Sequence, residues 1–269
     1  MLKENTLDML LVKYLLIVSI SLFDSIAGQV NTEAMRSEDD RFGFSNQFSL
    51  DVGYEKASSE VLDLASEYRL DYINQNNLHS FMIISLENGY EKEENIPKNI
   101  ITNKGFVHLR TTKNLTPQYQ VEIFTQYEFN EFLLLNDRYL LGSGLRIGFN
   151  NNKLSTTYLG VGLMIENETY DLGVDDLVVE NEKSLLRSTN YIKNNFALSA
   201  NIELNNTAYF QIASDDFNDY RILYDGGLDF HVNESFAFTI ELNYRYDNDP
   251  HGDLGRSYIQ ISNGMSFNF

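Results

Sequence analysis

Apolar and polar side chains alternate with a period of two along most of this chain, and the alternation divides it into segments of ten or more residues. Phe48, Leu50, Val52 and Tyr54 share one face opposite Gln47, Ser49, Asp51 and Glu55, and Leu62, Leu64, Tyr68, Leu70 and Tyr72 oppose Asp63, Glu67, Arg69 and Asp71. A two-residue period is that of a strand, whose successive side chains point to opposite faces. The pattern continues at 78–90, 103–115, 119–129, 138–149, 155–168, 188–204, 207–215, 219–232, 236–247 and 256–269. The segment 236–247 is cleanest, with Phe236, Phe238, Ile240, Leu242, Tyr244 and Tyr246 on one face; 78–90 is least clear, with apolar residues on both. These segments predict twelve strands.

The connections carry their own signal. Residues 74–77, 115–118, 150–154, 205–206 and 233–235 are short and rich in Asn, Pro or Ser, as tight turns are; of the alternate connections 91–101, 130–137, 167–187 and 248–255 are longer, while 57–60 and 214–218 are short. Short turns at one end alternating with longer loops at the other predict an antiparallel up-and-down transmembrane β-barrel of about 12 strands over 44–269, with both termini in the periplasm. A lipocalin-like or sandwich protein has the same alternation with its apolar face inward. Strand length, strand number and an exported chain favour the inside-out arrangement.

Export is read from the only long apolar run, Leu10 to Phe23, which follows Lys3, carries charge only at Lys13 and leads to Ser25-Ile26-Ala27. That order fits a signal peptide over 1–27. The polar stretch 28–43 has little period and is expected to be a periplasmic segment. Mean hydropathy is −0.31, so any other membrane contact has to come from alternating strands. The chain has no cysteine, 17 tyrosines and 18 phenylalanines. Lipid anchors and disulfides on cysteine are thereby excluded, and aromatic girdles are well supplied. A net charge of −19 excludes a nucleic-acid footprint.

Residues 258–269 (YIQISNGMSFNF) alternate up to the terminal residue, and resemble the closing strand with final Phe by which bacterial outer-membrane proteins are recognised for assembly. Phe267 and Phe269 are the residues carrying that likeness. Residues 30–45 (VNTEAMRSEDDRFGFS), 103–110 (NKGFVHLR) and 126–146 (QYEFNEFLLLNDRYLLGSGLR) resemble the bacterial salt-induced outer-membrane proteins, a family catalogued as a domain of unknown function. The resemblance implies a barrel in the outer membrane of a Gram-negative bacterium, with an envelope response to salt and no catalytic residues. It implies as partners the membrane lipid, lipopolysaccharide and, through the last strand, the barrel-assembly machinery. A monomer is expected.

The chain has four histidines, His79, His108, His231 and His251. A barrel hydrolase needs a His beside a Ser or paired carboxylates. His79 abuts Ser80, which points the other way, and His108 and His231 have no Ser two positions away. Asp175-Asp176 and Asp215-Asp216 are turn formers in their own right. Asp247, Asp249 and Asp253 are weak candidates for calcium, without the full loop signature. The expectation is therefore no enzyme, no catalytic residue and no cofactor.

The inward face carries Asp51, Glu67, Arg69, Glu122, Arg138, Arg146, Arg221, Asp225, Asp229, Glu241 and Arg245. Charges paired across the lumen would make a structural envelope barrel; an open lumen with excess acid would make a narrow, weakly cation-preferring pore. A third reading is a binding protein whose acidic loop 167–187 meets divalent cations, lipopolysaccharide or a partner.

Overall fold

The structure, a computed structural model, describes residues 33, 36, 42–57, 59–93, 97–152, 154–171, 180–233, 236–251 and 255–267. It is a single antiparallel sheet of twelve strands in chain order: β1 Gly43–Lys56, β2 Ser59–Asn74, β3 Leu78–Glu93, β4 Asn99–Asn114, β5 Tyr119–Asn130, β6 Leu135–Asn151, β7 Ser155–Asp171, β8 Glu180–Ser199, β9 Ile202–Ala213, β10 Tyr220–Asn233, β11 Phe236–Asp247 and β12 Ser257–Phe267. A 3-10 turn, Glu131–Leu133, separates β5 from β6 and ends on Leu134 in the left-handed region at φ 54°.

The period of two sorts side chains as an inside-out barrel requires. Leu141, Leu163 and Ile165 are more than half exposed on the outer face, while Arg138, Arg187 and Glu166 are at most 1 % exposed on the inner one. A soluble β-protein would bury the first set and expose the second. Strand β3 shows apolar residues on both faces because Phe81 and Ile83, 1 % exposed each, pack inside with Phe106 of β4.

Three expectations are corrected. The alternation predicts one strand over 188–204 and a turn at Asn205–Asn206; instead the chain turns at 200–201, and both asparagines sit in the β9 ladder opposite Asn195 and Asn194. Their amides are satisfied across strands, Asn205 Nδ2 donating to Asp229 at 2.8 Å and Asn206 Oδ1 accepting from Tyr224 at 2.6 Å, so they need no turn. The long loop expected over 167–187 is mostly sheet: β7 and β8 stay paired out to Asp171 and Glu180. Only 172–179, with Asp175 and Asp176, lie outside the described residues. Finally, β12 is expected to lie against β1. Eleven ladders run from β1 to β12, and among the described residues none returns from β12 to β1. Most of the buried filling of the lumen lies against β3 to β10, and among the described residues of the other strands only Asp71 on β2 and Ala237 on β11 are buried, so little inside draws the two edge strands together.

The signal peptide expected over 1–27 and Phe269 also lie outside the described residues. Phe267 is described in its backbone, paired with Phe236.

Candidate functional site

The inner wall carries two layers of buried ion pairs with a less polar layer between them. The first lies toward the end bearing the short turns. Arg110 of β4, Glu122 of β5 and Arg146 of β6 stand a few residues from those turns on adjacent strands, so their side chains converge. Into their midst comes Glu33. Its carboxylate, fully buried, accepts from Arg36 at 3.1 Å, from Arg110 at 3.1 Å and from Arg146 at 3.1 and 2.9 Å. Arg36 in turn pairs with Glu122 and donates to Thr112 at 2.9 Å. Glu122 also accepts the Tyr191 hydroxyl of β8 at 2.9 Å, three strands away.

This corrects the placing of 28–43 as wholly periplasmic: Glu33 and Arg36 lie inside the barrel wall. A carboxylate among three guanidiniums gains more from them than it loses in hydration. Burial alone would raise its pKa, and Arg36, Arg146 and Arg110 outweigh that and hold it at about 2.

The second layer lies toward the long-loop end. Arg138 of β6 donates to Glu128 at 2.9 Å and to Glu168 at 2.7 Å. Arg221 of β10 meets the same Glu168 at 2.9 and 3.2 Å, Glu166 at 3.1 Å and Asp247 at 2.9 Å. Arg187 of β8 bridges Glu166 at 3.3 Å and the Asp219 carboxylate at 2.8 and 3.2 Å. Lys183 closes the set, 2.7 Å from Asp219 and 3.4 Å from Asp249. The hydrogen bonds from Arg187 and Lys183 lower the Asp219 pKa in spite of its burial, which raises it. Multiple hydrogen bonds per carboxylate are the condition under which buried charge is tolerated.

Between the layers a cavity of about 30 Å³ is lined by His108, Phe124, Met164, Tyr191, Tyr209 and Gln211. That is room for about two waters. His108 Nδ1 faces Gln126 at 3.0 Å, while its Nε2 and Gln211 Oε1 have no hydrogen-bond partner.

Among the residues expected to face the lumen, Glu122, Arg138, Arg146 and Arg221 join these two networks. Asp225 and Arg245 pair with each other at 2.7 Å, Arg69 pairs with Asp71, and Asp229 accepts from Asn205 and Thr239. Asp51, Glu67 and Glu241 are half-buried on the same face, beside the sheet edges. Glu168, Arg187 and Asp219 were missed because the first and last stand at the very ends of predicted strands and Arg187 lies in a stretch whose composition reads as loop. The alternation from Glu166 and from Thr189 continues through Glu168 and Arg187, and that parity was the available signal.

The weak calcium candidates have other partners. Asp247 faces Arg221 and Asp249 faces Lys183; Asp253 lies outside the described residues. Among the described residues no group of three or more His, Asp or Glu could hold a metal. His79 meets Asp71 at 2.9 Å, His231 lies 4.0 Å from Glu203, and His251 stacks on Tyr170; none hydrogen-bonds a serine among the described residues.

Among solved structures, a NanC porin is 16 % identical over 82 % of this chain and all of that one, with a TM-score of 0.45. The translocator domain of the autotransporter NalP from Neisseria meningitidis is 10 % identical over 86 % of this chain and 90 % of that one, TM-score 0.45. The beta domain of the Bordetella autotransporter Brka is 11 % identical over 84 % and 98 %, TM-score 0.38. No curated protein matches. The family described as "Protein of unknown function, DUF481" matches residues 30–267, nearly the whole of the twelve-stranded sheet and the Glu33 segment that enters it, and the chain belongs to that family.

Proposed function

We propose that this protein is a non-enzymatic outer-membrane barrel that serves as a structural element of a Gram-negative envelope, its lumen closed by its own ion pairs. The observation that carries this is the run of shared contacts Glu128–Arg138–Glu168–Arg221–Glu166–Arg187–Asp219, which joins β5 to β10 across the lumen with every member buried. A hydrated ion would have to break pairs whose members are then left buried and unpaired, a large barrier. The exposed apolar belt supplies the lipid contact, and the short turns then face the periplasm.

Reconstitution into planar bilayers tests the reading. The intact protein is expected to give no discrete current steps in concentrated KCl; regular steps of one size overturn it.

One observation favours a second reading, the narrow pore. Toward β1, β2, β11 and β12 the inner face is only half-buried, and Asp51, Glu67, Asp229 and Glu241 lie along it. Acid along an open side favours cations. Steps accompanied by a cation-selective reversal potential would establish this reading in place of the first.

A further inference from the structure

At the long-loop mouth, beyond the second ionic layer, lies a separate cavity of about 80 Å³. Its walls come from Leu133 after β5, Tyr170 at the end of β7, Arg221 and Leu223 of β10, and the end of β11 with its connection to β12, which brings Asp247, His251, Arg256 and Tyr258. Arg245 of β11 reaches it from the inner wall. The His251 ring lies against Tyr170 with centroids 3.5 Å apart and planes 21° from parallel, so its position is fixed.

The hydrogen bonding of this cavity is incomplete, and incomplete on one side. Arg245 uses both terminal nitrogens on Asp225, at 2.7 and 3.2 Å, yet its Nε–H is buried with no partner. His251 Nε2 is likewise buried with no hydrogen-bond partner among the described residues. Arg256 is exposed at the rim and has no carboxylate partner among the described residues. A guanidinium can only donate, and a neutral imidazole protonated on Nε2 donates there too. Burial lowers the His251 pKa, which favours the neutral ring. The groups that surround the cavity therefore ask for acceptor oxygens.

We propose that this cavity binds a small organic carboxylate, its oxygens taken by Arg245 Nε, His251 Nε2 and the Arg256 guanidinium and its carbon body held against Leu133, Tyr170 and Tyr258. A cation finds no acceptor among the three open groups. A phosphate dianion fits less well, because the Asp247 carboxylate lines the cavity and Glu168 pairs with Arg221 in its wall, and because Leu133, Ile222, Leu223 and Pro250 make much of that wall apolar. A single negative charge with a few carbons answers both conditions. The site does not depend on whether the lumen conducts, since it opens at the mouth.

The test is titration of the full chain, refolded in detergent, with propionate, followed by calorimetry or saturation-transfer NMR. Saturable binding is expected with a dissociation constant on the order of 1 mM, as suits so small a ligand. The neutral twin propionamide should bind at least ten-fold more weakly, and Arg256→Gln should weaken propionate about ten-fold while heat-modifiable gel mobility stays unchanged. His251→Phe keeps the stack on Tyr170, removes Nε2, and should weaken propionate as well. Lack of saturation, equal binding of propionamide, tighter binding of inorganic phosphate, or wild-type affinity in both variants would each overturn the assignment.

Discussion

Glu33 and Arg146 stand 113 positions apart in the chain and meet inside the barrel, the carboxylate accepting from the guanidinium Nε at 3.1 Å. This contact ties the segment before β1 to the wall of β6. The carboxyl is held at about 2 against an ordinary value of 4.5, because three arginines outweigh its burial. A depressed carboxylate contributes stability that is fully present above the ordinary value and is lost as the pH falls through the folded one. Glu33→Gln is therefore expected to lower stability by roughly 3–5 kcal/mol at pH 7, the usual effect of breaking a buried pair. Between pH 4.5 and 2 the wild type should lose more stability than the variant. Urea unfolding of both proteins at stepped pH, read by gel mobility, checks the difference; parallel curves would count against the contact.

Arg221 serves three carboxylates, Glu166, Glu168 and Asp247, from the far side of the lumen. Arg221→Met keeps much of its volume and removes the charge, leaving Glu166 and Glu168 to Arg138 and Arg187 and taking from Asp247 its pair with Arg221. The expected cost is again about 3–5 kcal/mol. Glu87→Gln, in the separate pair with Lys104 at 2.9 Å on β3 and β4, should cost less, since both members keep some contact with solvent. Comparing the two unfolding midpoints tests whether stability is concentrated in the β6 to β10 network.

How much of this was legible beforehand follows from what is local and what is not. The phase of the alternation is local, so Glu122, Arg138, Arg146 and Arg221 could be placed on the inner wall from their neighbours alone. Their partners could not, because which strands face one another across the lumen depends on how the whole sheet coils. Charge and Asn near strand ends imitate loop composition, and this hid Arg187, Glu168 and the true turn at 200–201. Glu33 and Arg36 gave no signal because their segment has no period. The arginines on β4 and β6 give Glu33 its place, and Thr112 and Glu122 give Arg36 its own.

Glycines on the inner wall make room for rings. A Cβ added at Gly160 of β7 would run into the Tyr191 ring, whose hydroxyl is committed to Glu122. Gly160→Val is expected to displace Tyr191 and break that hydrogen bond, at about 1–3 kcal/mol for the overpacking. Gly227→Val should be mild by contrast, since the nearest atom to its Cβ position is Asn205 Cβ at 3.9 Å. The unfolding midpoint should fall for the first and move little for the second.

The membrane itself gives the sharpest contrast. Val161, Leu163 and Ile165 follow one another on the outer face of β7, each half or more exposed, near the middle of the strand. Met164, between two of them, points inward and is 2 % exposed. In a soluble protein Ile165→Lys would replace exposed grease with charge and be neutral or helpful. In a barrel it places an ammonium against lipid, at about 2–4 kcal/mol near the midplane and less toward the interfaces. Moving the same lysine along the outer face of β7, from Leu163 and Ile165 to Leu159 and then Thr157 near the short-turn end, should give a cost that declines with distance from the centre. Folding free energies in lipid vesicles measure that profile. A flat profile would mean that the outer face does not meet a bilayer, whereas a peaked one locates its midplane on β7.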